Sequence, residues 1–257
     1  MLIAQLSDPH LEVGPRGGEP SARLHRALGR VLGLRPRPDC VLITGDVVNN
    51  GKQEEYEAFL AIAKGFPVPI HLVTGNHDDA KTMASVFGGT GFLGGSDSTY
   101  YTIDHADVRI VVLDSLVPGS VAGRLGEAQL EWLDKVLAER SEVPALLCLH
   151  HPPADIGMAF LDSYKLENPE ALRAVLTRHS HVRQILAGHV HRAVTAEFAG
   201  ITVSIAPSTY RQAALDLATD GPPGYVYEAP AFLLHQVTAA GCITHLVPTM
   251  DGPVGYY

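Results

Sequence analysis

A chain of 257 residues with 46% hydrophobic and 18% charged side chains has ordinary globular usage, which excludes an extended disordered protein and leaves room for one large domain or two small ones. The formal charge of −9 and the lack of a basic block exclude a general nucleic-acid or anionic-membrane surface, because both partners call for clustered Lys and Arg. No apolar run approaches the roughly 20 residues of a membrane-spanning helix, and Met1-Leu2-Ile3-Ala4-Gln5-Leu6 reads as a first strand rather than a signal peptide, so a soluble, cytoplasmic protein is expected.

In chain order, the first strand leads into a Gly- and Pro-rich loop, Gly14 to Pro20, and then an amphipathic stretch from Ala22 to Leu34 with Leu24, Leu28, Val31 and Leu32 at helical spacing. The strand Cys40–Thr44 ends at Gly45-Asp46, and a helix from Gln53 to Lys64 puts Tyr56, Phe59, Leu60 and Ala63 on one face. The run Val68–Val73 then breaks at Gly75-Asn76-His77-Asp78. This strand-helix alternation predicts parallel strands covered by helices. A short helix after Asp79 and a Gly-rich loop, Gly88 to Gly95, precede a hairpin of Thr99–Ile103 and Val108–Leu113.

Farther along, Leu125–Glu139 is a helix with Trp132 on its apolar side, and the strand Ala145–Leu149 delivers His150. Asn168 is placed to cap a helix to Thr177 that has Pro169 at its first position. The strand Val182–Ala187 ends at Gly188-His189-Val190-His191. The tail differs: Val194–Phe198, Ile201–Ile205, Ala231–Gln236 and Cys242–Val247 read as strands joined by short turns, which adds antiparallel pairing. With no repeat and no flexible linker, residues 1–257 are expected to form a single domain. Residues 210–257 would be a β-rich extension, in which Gly221-Pro222-Pro223-Gly224 with Tyr225 and Tyr227 is a candidate lid. Cys40, Cys148 and Cys242 lie far apart in apolar runs and read as small buried hydrophobes.

Five apolar runs thus stop at metal-capable residues: Asp8-Pro9-His10, Gly45-Asp46, Gly75-Asn76-His77-Asp78, His150-His151-Pro152 and Gly188-His189-Val190-His191. Asp8 and His10 flank one residue, so on an extended backbone their side chains share a side and can chelate one ion; His189 and His191 repeat the spacing. Asp46 offers two oxygens, Asn76 a neutral oxygen and His150 a nitrogen. Mixed nitrogen and oxygen donors without thiolate suit Mn, Fe, Zn, Co or Ni rather than Ca or a closed structural zinc site. Seven donors are too many for one tetrahedral ion and suffice for two ions that share Asp46.

In this order the five motifs resemble those of the calcineurin-like metallophosphoesterases, over Met1 to about Thr209. Within that family, the forms Gly-Asn-His-Asp-Asp, His-His-Pro-Pro and Gly-His-x-His are most similar to those of the bacterial cyclic-nucleotide phosphodiesterases and glycerophosphodiesterases. The resemblance implies a four-layer α/β/β/α sandwich of two mixed sheets. It implies Asp8, His10 and His191 at a first metal, Asn76, His150 and His189 at a second, and Asp46 as the bridge. The cofactors would be two divalent or Fe-type ions (Mn, Fe, Zn or Co) that hold a bridging hydroxide for in-line attack. His77 would be catalytic, stabilising developing charge or protonating the leaving oxygen, and Asn76, His77 and His191 would contact substrate. The expected substrate is a small phosphodiester, either a 3′,5′-cyclic nucleotide such as cyclic AMP or a glycerophosphodiester.

The protein Ser/Thr phosphatases of the family carry Asp-Arg after the Gly-Asp motif and Arg before Gly-Asn-His-Glu, where this chain reads Gly45-Asp46-Val47-Val48-Asn49-Asn50-Gly51 and Val73-Thr74-Gly75-Asn76-His77-Asp78; the phosphate-gripping arginines are missing, which favours a diester. The acidic balance disfavours a nuclease acting on a nucleic-acid polymer. A phosphomonoesterase or nucleotide pyrophosphatase on the same site is the alternative, and a non-catalytic binding module a third. The resemblance also implies a homo-oligomer, a dimer or higher, with Tyr256-Tyr257 as a candidate interface segment. His151 is expected to orient its surroundings rather than bind metal. His179 and His181 are expected on the solvated surface, and Asp79 and Asn49 are candidates for supporting or substrate contacts.

Overall fold

A computed structural model of the chain describes residues 1–218, 223–238 and 240–250. The expectations for Tyr256-Tyr257 and for Gly221-Pro222 lie outside the described residues. β1 (Leu2–Leu6), α1 (Gly18–Leu32), β2 (Cys40–Thr44), α2 (Gln53–Ala63), β3 (Ile70–Val73) and α3 (Ala80–Phe87) form the first half of the chain. The helix α1 starts inside the predicted loop, because Pro20 in a first turn forfeits only an N–H that has no helical partner there. Its buried stripe, Leu24, Ala27, Leu28 and Val31, follows helical spacing.

β4 (Tyr101–Asp104) and β5 (Arg109–Val112) form the expected antiparallel pair, followed by α4 (Glu127–Glu139), β6 (Ala145–Cys148), α5 (Ala159–Asp162), α6 (Pro169–Leu176) and β7 (Val182–Ala187). The short α5 has no apolar periodicity to announce it. Asn168 precedes α6 without capping it: its amide instead accepts from Leu125 N (3.0 Å) and donates to Leu125 O (2.8 Å), tying α6 to the segment before α4. The tail is β8 (Val194–Phe198), β9 (Ile201–Ile205), a two-residue pair β10 (Gln212–Ala213) and β11 (Tyr225–Val226), then β12 (Ala231–Thr238) and β13 (Gly241–Pro248).

Two mixed sheets result, with strand orders β13-β12-β1-β2-β3 and β4-β5-β6-β7-β9-β8. β1, β2 and β3 are mutually parallel, as are β5, β6, β7 and β9, whereas β12, β13, β4 and β8 join antiparallel. Strand alternation assigns the layers. Val112, Leu146, Cys148 and Leu186 of the second sheet face the first, on the side where Cys40 and Leu42 alternate with Thr44, whereas Ile43 and Leu72 point the other way, towards Tyr56 and Phe59 of α2. Val111, Leu147 and Ile185 face the other way, onto Leu133, Leu137, Leu172 and Leu176 of α4 and α6. This is the four-layer α/β/β/α arrangement.

Polar side chains stitch the two sheets together where they meet. Gln5 donates to Ala187 O across the gap (2.8 Å) and to Thr44 Oγ1 (3.2 Å), and its own carbonyl faces His235 Nε2 at 2.9 Å. His235 Nδ1 faces Thr244 Oγ1 (2.9 Å), which also accepts from Gln184 Nε2 (3.1 Å). Every member is buried except Thr244, whose strand is an edge. A network of this kind fixes sheet register, and losing one member strands others, as Gln184 Oε1, buried with no hydrogen-bond partner among the described residues, already is. His179, expected in solvent, is buried too, with Nε2 2.7 Å from Asp134 Oδ1. Its ring packs against the middle of α4, where Asp134 offers a charged acceptor.

Burial pushes His235 down from its ordinary 6.5 to about 3. Its folded value lies below its unfolded one, so its neutral form stabilises the fold fully above about pH 6.5 and progressively less as pH falls towards 3. In metal-free protein, the unfolding free energy should fall with decreasing pH between 6.5 and 4, with a His235 share of up to about 1.4 kcal/mol per pH unit. Urea titrations of wild type and His235→Gln across that range check this. The two curves should converge at low pH, and parallel curves would remove His235 from the account.

Candidate metal centre

All the candidate donors lie just past the C-terminal ends of parallel strands: Asp8 and His10 after β1, Asp46 after β2, Asn76 and His77 after β3, His150 after β6, and His189 and His191 after β7. Strands of one direction deliver their polar endings to one edge. The backbone there is not extended, as the Asp-x-His spacing suggested. Asp8 (φ 51°), His10 (47°), Asp46 (48°), His189 (70°) and His191 (54°) are all left-handed, and only Ala199 shares this among the described non-glycine residues. Each such residue costs on the order of 1 kcal/mol or more. The cost is concentrated in five of the seven candidate donors.

Hydrogen bonds around the turns hold this conformation. Asp8 N donates to Gly45 O (3.2 Å), His10 N to Asp46 O (3.0 Å) and Leu11 N to Val47 O (3.1 Å), so the chain after β1 zips onto the chain after β2. Ser208 Oγ donates to Asp8 O at 2.7 Å. Glycine makes the close approaches feasible: a Cβ on Gly45 would overlap the His150 ring, and one on Gly75 would overlap the Asp46 carboxylate.

Asp78 braces the same region from beneath. It accepts from Gly75 N (2.8 Å), Val47 N (3.1 Å), Val48 N (3.2 Å) and Tyr56 Oη (3.0 Å). Burial and the neighbouring Asp46 push its acid up to about 7, against the pull of the backbone donors. Its role was not legible in sequence, because the groups it gathers come from three separate segments.

Around Asp46 the donors form two clusters. Asp8, His10, Asp46 and His191 place one ligand atom each within 4.8 Å of one another. His191 Nδ1 donates to the Arg211 carbonyl (3.0 Å) and His10 Nδ1 faces Asn49 Oδ1 (3.2 Å), which leaves both Nε2 atoms as lone pairs, 3.0 Å apart. Asp46 Oδ2 lies 3.4 Å from His10 Nε2, and Asp8 Oδ1 lies 3.3 Å from His191 Nε2. On the other side, His150 Nδ1 donates to Thr44 O (2.8 Å), and Nε2 points at Asp46 Oδ1 (3.5 Å) and Asn76 Oδ1 (3.2 Å). His189 Nδ1 is 3.0 Å from the same Asn76 oxygen. Among the described residues, Asp8 Oδ2 and His189 Nε2 are buried with no hydrogen-bond partner.

Facing lone pairs, two buried carboxylates and two orphaned donors fit bound cations and little else. Protons take up part of that demand in the metal-free protein. Burial disfavours a charge on His150, but Asp46, Asp8 and the Thr44 carbonyl outweigh it and raise the residue to about 9. Burial dominates at His10 and His189, which drop to about 3 and stay neutral. Burial opposes charge on His191 too, but Asp8 raises that residue as well, so cations arriving here would displace protons from His150 and His191.

His151 lies within the second cluster, but both ring nitrogens are engaged: Nε2 donates to Val121 O (3.0 Å) and Nδ1 accepts from Ser115 Oγ (2.8 Å). These bonds tie it to the Ser115 and Val121 segments. His77 stands at the mouth of the site, exposed, with its ring 4.6 Å from that of His10. Its backbone N donates to Asp46 Oδ1 (2.8 Å) and its Nδ1 to Asn49 O (2.9 Å). Asn49 thus supports both histidines, whereas Asp79 caps α3 by accepting from Thr82 N (2.8 Å) and lies outside the cluster.

Comparison with known proteins agrees with this geometry. The family model described as calcineurin-like phosphoesterase matches residues 1–193. A probable glycerophosphodiester phosphodiesterase, GpdQ, from Arcobacter nitrofigilis is 33% identical over 100% of this chain and 97% of its own length. The 3′,5′-cyclic adenosine monophosphate phosphodiesterase CpdA of Pseudomonas aeruginosa is 33% identical over 81% of this chain and 76% of its own. Among solved structures, a dimetal phosphatase from Danio rerio shares the fold, with a TM-score of 0.70 and 18% identity over 98% of this chain and 97% of that one.

Removing the Asp78 carboxylate would strand four buried donors. Asp78→Ala should lower the unfolding free energy of metal-free protein by about 3 kcal/mol or more, measured by urea denaturation. A loss under about 1 kcal/mol would mean that water or a local shift satisfies those donors.

Proposed function

The chain belongs to the calcineurin-like phosphoesterase family, and from that premise we propose that it hydrolyses small phosphodiesters at a two-metal site. Asp8, His10 and His191 would hold one ion, Asn76, His150 and His189 the other, and Asp46 would serve both. The observation that carries this reading is the position of Asp46, whose Oδ2 faces His10 Nε2 at 3.4 Å while its Oδ1 faces His150 Nε2 at 3.5 Å. Nitrogen and oxygen donors without thiolate suit Mn, Fe, Zn or Co. When bound, two such ions supply Lewis acidity that polarises the phosphoryl oxygens and lowers the pKa of a water.

The chain's own residues do the rest. Hydrogen bonds to Thr44 O and Arg211 O fix the tautomers of His150 and His191, so each presents Nε2 to the site. His77 Nδ1 is committed to Asn49 O, which leaves Nε2 to carry a proton to the departing oxygen or to stabilise charge on it. Asn76, His77 and His191 are the substrate contacts in this reading.

Diester preference is supported by Asn50 and Thr74, which stand where the family's protein phosphatases carry phosphate-gripping arginines; Thr74 Oγ1 instead donates inward to Asp114 Oδ1 (2.6 Å). The relatives named as phosphodiesterases point the same way.

Chelator-stripped protein supplied with Mn, Zn, Fe or Co should cleave bis(p-nitrophenyl) phosphate faster than p-nitrophenyl phosphate. His77→Ala should lower kcat for the diester by about 100-fold or more with its bound metal unchanged. Faster monoester cleavage would favour a phosphomonoesterase, and a His77→Ala variant with full activity would remove His77 from the chemistry.

A further inference from the structure

Beside the metal centre stands a group of side chains that the hydrolytic reading leaves without a role. The Arg211 carbonyl orients His191, but its guanidinium turns away to lie over two aromatic rings, 5.1 Å from the centre of Tyr210 and 4.6 Å from that of Tyr225. The pairing of β10 with β11 holds Tyr225 opposite Ala213, two residues after Arg211, and Ala213 N donates back to His191 O (3.3 Å). Tyr225 also meets Tyr227 edge to face at 5.7 Å, and these two rings are 56% and 61% exposed. Among the described residues no carboxylate pairs with the Arg211 guanidinium. The neighbouring Arg192, by contrast, is committed to Ala213 O (2.6 Å) and Glu228 (3.2 Å).

Tyr225 and Tyr227 leave more than half of their surfaces exposed while they touch each other, and exposed aromatic surface of this kind marks a place that a ligand can cover. A planar guanidinium placed over tyrosine rings offers a π-surface of its own. We propose that Arg211, Tyr210 and Tyr225 form a stacking platform for a nucleobase, so that the diester taken by this site is a nucleoside cyclic phosphate rather than a glycerophosphodiester. The inference rests on the phosphodiesterase reading above. Its physical ground is stacking: any base presents a π-face to aromatic rings and a guanidinium, whereas a glycerol arm presents none. The choline or ethanolamine of a phospholipid-derived diester would be drawn to bare tyrosines, but here the guanidinium already occupies the rings and repels a second cation. The platform adjoins His191 through the Arg211 backbone, so a base stacked on it remains tethered to a phosphate at the metal centre.

The test compares kcat and KM for adenosine 3′,5′-cyclic phosphate and for glycerophosphocholine with metal-loaded wild type, Tyr225→Leu, Tyr225→Phe and Arg211→Gln. Tyr225→Leu and Arg211→Gln should each lower kcat/KM for the cyclic nucleotide roughly tenfold, mainly through KM, and lower it far less for glycerophosphocholine. Tyr225→Phe, which keeps the ring, should stay within about twofold of wild type for the nucleotide. Equal losses on both substrates would make these residues general phosphate or structural contacts and overturn the platform. So would a wild type that prefers glycerophosphocholine. If neither these diesters nor the aryl diester is cleaved, the phosphodiesterase reading itself fails, a result separate from loss of discrimination.

Discussion

One carboxylate, Asp46, sets the terms for the rest of this molecule. It is buried between two histidine clusters, and its conformation is left-handed. Glycines crowd it on both sides, Gly45 under the His150 ring and Gly75 against its own carboxylate. A buried carboxylate needs compensating charge. Here the compensation comes from histidines raised by their acidic neighbours, His150 to about 9 and His191 upward as well. The same groups become neutral donors when cations arrive, which makes metal uptake a proton-releasing exchange.

The fold serves that carboxylate by convergence. Five parallel strands, three in one sheet and two in the other, end at the same edge, and each contributes at most two donors. The left-handed turns are tolerable because the backbone is held on every side: by the Asp8 and His10 amides on the chain after β2, by Ser208 on Asp8 O, and by Asp78 on Val47, Val48 and Gly75. The polar seam of Gln5, Thr44, His235 and Gln184 fixes one sheet against the other. A slip between sheets would part His150 and His189 from Asp46.

Much of this was legible in the sequence, for a physical reason. Strands buried on both faces read as continuous apolar runs, and the residue that ends each run is also the one that emerges at the sheet edge. The buried strands β2 and β7 accordingly lie where the apolar runs placed them, β8 and β9 lie where runs between short turns did although each has exposed positions, and the seven candidate donors come together. What the sequence hid was contact between distant segments. Asp78 looked like part of a motif rather than a brace, Asn168 like a cap rather than a clasp on Leu125, and His179 like a surface residue rather than a buried partner of Asp134. The Asp-x-His geometry was misjudged as extended, because spacing alone does not reveal a positive φ. The pairing of β10 with β11, only two residues on each side, is too short to leave any periodic signal, although it sets Tyr225 beside Arg211.

The central claim is that Asp46 is shared by two ions. Anomalous X-ray scattering from crystals soaked in Mn or Zn tests it directly. The account predicts two peaks, one among Asp8, His10 and His191 and the other among Asn76, His150 and His189, with one oxygen of Asp46 against each. A single peak, or two peaks with Asp46 touching only one of them, would contradict it.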